Sequence, residues 1–391
     1  MRKTWVKGCV CASICLLFPL IATASSAIFS NLIVFGDSLS DAASLSLDPN
    51  MKEKKNVGNN YWVHTEGKTG APISSEDAVS KTSPLWPNAL ISESTLFDAN
   101  PNATRYIYPA SQANHQGFSP LRYSINYAWA SAETGNHYLN DLNHQYPYDD
   151  KECQTTGAGY LSPTISCVPG VLLQVTNYLK EVNNHPNPRT LIIIWAGGND
   201  IFNNIAKVAN QNKQISKPIL LLKMLNVPYP VWPNQKNDEP LSNAVQNLKQ
   251  AVKMLIQAGV PAQNIYVINM PNLANTPAAQ EFAKGNKTML YSLTAITEIF
   301  NAALRVNLAF DYLGSAAFNL PNSNIISANK EFNEILKNHQ KYGFDKLLHN
   351  CAQDNAAPNC RGYLFLNGKH PTTEVHRLLA NYLKQILHAR E

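Results

Sequence analysis

Short apolar runs rich in β-branched residues alternate along this 391-residue chain with longer amphipathic stretches. The runs predict buried strands at 32–35, 124–128, 192–195, 265–268 and 324–327. Apolar residues recur at helical spacing in the stretches 171–182, 241–256, 288–310 and 373–389. Because such alternation favours parallel strands joined by crossover helices, the chain is predicted to have an α/β fold.

Composition and two aperiodic segments define the domain organisation. With 45% hydrophobic and 15% charged residues, the chain can bury a large core, and its net charge of +5 does not suggest nucleic acid as a partner. Residues 50–82 are polar and aperiodic, and residues 213–239 are rich in proline. We predict both as insertions in a single domain over residues 25–391.

The N-terminus has the layout of a secretory signal peptide. Basic residues precede an apolar run at 10–21, and Ala22-Thr23-Ala24 offers a cleavage site. An uncleaved membrane anchor is the alternative, but the run is shorter than the ~20 apolar residues that span a bilayer. Residues 1–24 are therefore predicted to be removed from a soluble, secreted protein.

Four cysteines remain after such cleavage, and an even number in an exported protein favours two disulfides. Three connectivities are open. The local pairing, Cys153 with Cys167 and Cys351 with Cys360, is preferred because each pair brackets a short polar stretch. A zinc site is the weaker interpretation, since no Cys-x-x-Cys spacing is present.

Three polar residues follow predicted strands or precede a predicted helix. Ser38 comes directly after the first strand, Asn199 follows the strand at 192–195, and His370 stands before the last helix. Serine hydrolysis needs a nucleophile, an imidazole base and oxyanion donors, which these residue types supply. Taken alone, the Gly-Asp-Ser sequence around Ser38 is equally compatible with a helix N-cap.

Together these segments resemble the motif blocks of the GDSL or SGNH hydrolases, in the family's order. The matching segments are 36–41, 126–132, 197–200, 270–273 and 370–372. The resemblance implies a flavodoxin-like three-layer α/β/α sandwich with a central parallel sheet. It also implies Ser38 as nucleophile and His370 as base, with the Ser38 and Ser131 N–H groups and the Asn199 amide forming the oxyanion hole.

The chain departs from the family pattern at two site positions. Ser131 stands where the family usually has glycine, which matters if the backbone there requires a positive φ. Asn367 stands where the family has the aspartate that orients the base. Asn367 could orient His370 through its carbonyl oxygen, a backbone carbonyl could do so, or another acid could substitute: Asp345, Asp354 or Glu374. A catalytically impaired, lipid-binding member of the fold is a further alternative.

Within the family, the chain looks most like bacterial secreted phospholipase A and lysophospholipase enzymes, some of which transfer the acyl group to cholesterol. The expected partners are a phospholipid or lysophospholipid, a transiently contacted membrane surface and an activating protease that cuts the loop 351–360. A short-chain or carbohydrate esterase is the rival function. No cofactor or metal is expected. Eight further histidines are predicted at surface or capping positions: His64, His115, His137, His144, His185, His339, His349 and His376.

Overall fold

The computed structural model describes residues 28–41, 85–92, 95–98, 106–140, 167–202, 244–310, 318–356 and 360–389. The predicted signal peptide and the two predicted insertions at 50–82 and 213–239 lie outside these residues. No helix in the described part of the chain has the length and apolarity to cross a membrane.

A six-stranded parallel sheet forms the centre of the domain. Its strands are β1 (Asn31–Gly36), β2 (Ile107–Pro109), β3 (Ser124–Asn126), β6 (Thr190–Trp195), β7 (Ile265–Ile268) and β8 (Ile325–Ile326). Their order is β2-β3-β1-β6-β7-β8. Without the edge strand β2, this is the flavodoxin-like order, in which the chain moves from one side of β1 to the other. The prediction of an α/β fold with a central parallel sheet is confirmed.

Two shorter two-stranded sheets accompany the central one. Strands β4 (Tyr138–Asn140) and β5 (Cys167–Pro169) are antiparallel, and β9 (Lys346–Asn350) and β10 (Tyr363–Phe365) are parallel. The second of these sheets leads directly into the segment that carries His370.

Eight helices with complete bounds are described. They are α1 (Trp86–Ser92), α2 (Ala110–Gln116), α3 (Val171–Glu181), α4 (Ala244–Gln257), α5 (Pro277–Ala283), α6 (Lys287–Ala309), α7 (Ala328–Lys337) and α8 (Thr373–His388). A further helix begins at Gly198. Helices α3, α4, α6 and α8 confirm the four helices predicted from apolar periodicity. The sequence did not predict α1, α2, α5 or α7, of which the first three are only seven residues long.

The two faces of the sheet build two separate cores because side chains alternate along a strand. On one face, Ile33, Phe35 and Ile192 pack with residues of α3, α4 and α6. On the other face, Leu32 and Val34 pack with residues of α1 and α8. Helices therefore cover both faces, which confirms the three-layer sandwich.

Gly36 closes the end of β1, where a side chain would not fit. A Cβ atom there would lie 2.4 Å from the carbonyl oxygen of Trp195 on the adjacent strand. The buried side chain of Gln174 also holds the residue, accepting from the Gly36 N–H at 3.0 Å and donating to its carbonyl oxygen at 2.9 Å. The end of β1 is therefore closely packed against β6.

We expect Gly36→Ala to lower the free energy of unfolding by about 1–3 kcal/mol, because the added methyl forces β1 away from β6. Thermal unfolding of the purified protein measures this change. Gly198→Ala is the matched control, since a Cβ there meets open space. Equal melting temperatures for the two variants would contradict the tight approach at Gly36.

Candidate active site

Ser38 lies just beyond β1, in the crevice that the strand order creates between β1 and β6. In open α/β sheets, ligands bind where the strand order reverses, at the carboxyl ends of the strands. Asp37 fixes the turn by accepting from the Leu39 N–H with its side chain at 3.0 Å and from the Asp41 N–H with its backbone oxygen. Burial raises the pKa of Asp37 to about 7. The Ser38 side chain is half-buried, so it remains accessible.

His370 is held by a tight backbone turn that follows β10. The Leu366 N–H donates to the His370 carbonyl oxygen at 2.9 Å, and Phe365 bridges to Pro371. The Asn367 side-chain oxygen accepts from the backbone N–H groups of Lys369 and His370, each at 3.0 Å. This Asx-type arrangement fixes both the loop and the orientation of the Asn367 amide.

The imidazole of His370 joins Ser38 to Asn367. Its Nε2 lies 2.7 Å from Ser38 Oγ, and its Nδ1 lies 3.0 Å from Asn367 Oδ1. Burial, with a smaller effect from the Lys369 charge, lowers the pKa of His370 to about 3, so the ring is neutral and carries one proton.

The position of that proton follows from Asn367. Because two backbone N–H groups point at the Asn367 side-chain atom, this atom must be the oxygen, and it accepts from Nδ1–H. Nε2 is then unprotonated and accepts from the Ser38 hydroxyl. The asparagine thus selects the tautomer that a serine–histidine pair needs, although it brings no negative charge.

The three acids considered as substitutes for the missing aspartate lie in other contacts. Glu374 pairs with Arg377 at 3.1 Å on the exposed face of α8. Asp354 contacts His349 at 3.2 Å and accepts from the Tyr363 hydroxyl at 3.2 Å. Asp345 Oδ1 lies against Gly362. Of the side chains left open by the sequence, Asn367 is the one whose described contacts include His370 Nδ1.

The segments that carry Asn199 and Ser131 contact each other. The half-buried Asn199 amide donates to the carbonyl oxygen of Ala132 at 3.0 Å, and its second N–H is not used by that bond. Ser131 has φ = 66°, so this position does require the left-handed conformation that favours glycine. Within the described residues, the backbone N–H groups of Ser38 and Ser131 donate to no protein acceptor.

Buried carboxylates hold these segments together. Asp41 accepts from the Ala130 N–H at 2.7 Å. Asp200 accepts from the N–H of Thr134 and from its hydroxyl, the latter at 2.7 Å. Burial and the nearby Glu133 raise the pKa of Asp200 to about 7. The segment of Ser131 is thereby fixed at two points, Ala130 and Thr134, one on each side of Ser131.

A largely apolar cleft opens above Ser38 and His370. Asn199, Asn272, Lys369 and other polar residues line part of it. Its apolar wall consists of Leu39, Trp195, Phe202, Met270, Leu273, Phe332 and Phe365. Such a wall suits a hydrocarbon substituent next to the polar reacting group. Ser131 is not among the described residues that line this cleft.

The structure confirms one of the two predicted disulfides. Cys351 and Cys360 form a disulfide whose Cα atoms are 5.6 Å apart. Cys167 is also disulfide-bonded, but Cys153 lies outside the described residues, so that pairing stays a prediction. The N–H groups of Cys351 and Ala352 donate to the carbonyl oxygens of Phe365 and Leu366, so this loop braces the turn that carries His370.

The prediction of a surface or capping position is wrong for His376. Its side chain is only 1% exposed in α8, and burial, with a smaller effect from His370, lowers its pKa to about 3. The apolar periodicity of 373–389 contained the signal, because position 376 lies on the same helix face as Leu379 and Ala380, which are buried.

The model of the family described as GDSL-like lipase/acylhydrolase matches residues 32–383. A protein named Lipase 1 from Photorhabdus luminescens is 23% identical to the chain over an alignment that covers 55% of this chain. The alignment spans 39% of the length of that relative.

Proposed function

The chain belongs to the GDSL-like lipase/acylhydrolase family, which implies ester hydrolysis, and from that premise we propose that it is a serine phospholipase A or lysophospholipase. The single observation that carries the proposal is the Ser38–His370–Asn367 contact chain, with Ser38 half-exposed in an apolar cleft. The relative named a lipase supports a lipid ester as substrate.

In the proposed mechanism, Ser38 Oγ attacks the ester carbonyl carbon while its proton passes to His370 Nε2. The resulting oxyanion accepts from the backbone N–H of Ser38 and the side-chain N–H of Asn199, with the Ser131 N–H as the third proposed donor. The C–O bond of the ester then breaks, and the Nε2 proton goes to the leaving alcohol. Water, deprotonated by His370, attacks the acyl-serine and releases a carboxylic acid. An alcohol such as cholesterol that replaces this water would receive the acyl group instead.

The cleft walls favour a lipid over the rival substrates. An acetyl ester or an acylated sugar would leave the apolar surface of the cleft largely uncovered. A hydrocarbon chain would cover this surface, at about 25 cal/mol per Å² of apolar surface buried. A separate observation weighs against an impaired, purely binding member of the fold. The Ser38 hydroxyl lies within hydrogen-bond distance of His370 Nε2, as nucleophilic attack requires.

We also propose that the protein is secreted and meets a membrane surface transiently. The Cys351–Cys360 disulfide supports an oxidising compartment. An activating protease stays a prediction, because residues 357–359 of the loop lie outside the described residues. The described loop residues 351–356 and 360 do not line the cleft.

A substrate panel tests the proposed function. The chain without residues 1–24 is assayed on p-nitrophenyl esters of two chain lengths, an acetylated sugar and lysophosphatidylcholine, with free cholesterol as acceptor in a parallel reaction. We expect the largest kcat/KM for long acyl chains. A preference for acetyl esters or acetylated sugar would favour the rival esterase.

We predict that Asn367→Asp raises kcat about tenfold near neutral pH. The carboxylate would keep the same tautomer and also stabilise the imidazolium that forms as Ser38 attacks. Because a negative partner raises the pKa of His370 from about 3, the pH below which the base is protonated also rises. Profiles of kcat/KM against pH measure both effects. The wild type keeps an unprotonated base at pH 5, whereas the variant loses activity as the pH falls. Unchanged activity and an unchanged profile would contradict this role of Asn367.

A further inference from the structure

Charge in the candidate active-site cleft is concentrated on one side chain. Of the described residues that line the cleft, three are titratable: Asp37, Lys369 and His370. The Asp37 carboxyl is buried, and its Oδ1 accepts from the Leu39 N–H in the turn. His370 is buried and neutral. The exposed Lys369 ammonium is therefore the charge that an incoming substrate meets first.

An aromatic ring holds the Lys369 ammonium at the cleft. Its Nζ lies 4.5 Å from the ring centroid of Phe202, which also lines the cleft, in a cation–π contact. The backbone beneath is equally fixed, since the Lys369 N–H donates to the Asn367 side chain. An ammonium placed in this way is a donor for a phosphate or carboxylate.

The adjacent residue determines which part of the substrate Lys369 can reach. His370 Nε2 returns its proton to the leaving alcohol oxygen, so that oxygen must lie beside His370. Groups attached to the leaving alcohol then extend past the residues next to His370 in the turn. Lys369 is one of these residues. The acyl chain would instead contact the apolar wall in the other parts of the cleft.

We propose that Lys369, supported by Phe202, binds an anionic phosphate on the leaving alcohol and so determines a preference for phosphorylated glycerol esters over neutral ones. This proposal rests on the proposed acyl-hydrolase function and deepens it. Lysine suits the role because its flexible stem carries a compact charge that follows a phosphate in several positions.

The test compares substrates that share one short acyl chain and are used as monomers in solution. These are a monoacylglycerol, a lysophosphatidylglycerol and a lysophosphatidylcholine. The measured quantity is the ratio of kcat/KM for each phosphorylated ester to that for the neutral ester. The lysophosphatidylcholine arm shows whether the phosphate alone is enough or a net negative charge is needed.

We expect Lys369→Gln to lower this ratio about fivefold or more and Lys369→Glu to lower it further, whereas Lys369→Arg retains most of it. Added salt should reduce the ratio for the wild type more than for Lys369→Gln. The matched control is Lys253→Gln. Lys253 also lies over a phenylalanine ring, 5.4 Å from the centroid of Phe318, but not in the cleft. An unchanged ratio in Lys369→Gln would overturn the proposal.

A binding measurement separates failure of this inference from failure of the proposed function. In a Ser38→Ala background, calorimetric titration with lysophosphatidylglycerol and monoacylglycerol reports recognition without turnover. A preference for the phosphorylated ligand that disappears with Lys369→Gln supports the inference, even if no ester is hydrolysed. Equal affinities for the two ligands overturn it, while Ser38-dependent hydrolysis would still support the proposed function.

Discussion

Ser38→Ala and His370→Ala are each expected to reduce ester hydrolysis by about 10⁴-fold or more. Ser38 supplies the atom that forms the acyl intermediate, and no neighbouring hydroxyl in the described contacts takes its place on His370. Loss of His370 removes both the proton acceptor for attack and the proton donor for the leaving group. Because the two residues act as a unit, the double variant should be no slower than either single variant.

Stability measurements distinguish this role from a structural one. Ser38 is half-buried, so removing its hydroxyl should change the melting temperature little. His370 is 5% exposed, and its replacement leaves a cavity that lowers the melting temperature. His376→Ala is the matched control, since His376 is another buried histidine of the same segment that does not line the cleft. If His376→Ala lost activity as fully as His370→Ala, the assignment of the base would be wrong.

Asn199→Ala should lower kcat about 10²–10³-fold, with a smaller effect on KM. One amide hydrogen of Asn199 bonds to the Ala132 carbonyl oxygen and orients the side chain beside Ser38. The other is available to the oxyanion, which carries full charge only in the tetrahedral intermediate. For that reason the loss should fall on turnover rather than on ground-state binding.

Two further variants separate oxyanion stabilisation from anchoring of the Ser131 segment. Asn199→Asp keeps the shape of the side chain but removes its hydrogen-bond donors, so we expect a loss of turnover comparable to that of Asn199→Ala. Asn247→Ala removes a different amide that bonds to the same segment, at the Thr134 hydroxyl, and it should cost far less turnover. Losses in kcat that followed the melting temperatures of all three variants would identify Asn199 as structural.

Local sequence was sufficient for the elements that depend on apolar periodicity. The strand at 265–268 was predicted at the bounds it has, and α6 and α8 were predicted within one residue at each end. These elements bury one face or both faces, so the spacing of their apolar residues along the sequence matches the spacing of the buried positions. The seven-residue helices α1 and α2 are too short for such a period, and their positions depend on packing against α8 and β2.

The candidate site likewise has residues that the sequence predicts and a contact that only the structure shows. The residue types and order of Ser38, Asn199 and His370 were readable because each follows a strand or precedes a helix, and parallel strands bring their ends to one edge. Which partner orients His370 was not readable, since Asn367, Asp345, Asp354 and Glu374 are all close to it in sequence. In the structure, backbone N–H groups of the turn hold the side-chain oxygen of Asn367 in the position where it contacts His370 Nδ1.

The amino-acid sequence by itself thus determined the α/β class, the signal-peptide prediction and the three polar residues of the candidate site. These features depend on the identity of neighbouring residues along the chain. Only the tertiary structure decided the left-handed conformation of Ser131 and the contact of Lys369 with Phe202. Each of these depends on segments far apart in sequence, whose relative placement is determined by packing across the sheet rather than by local preference.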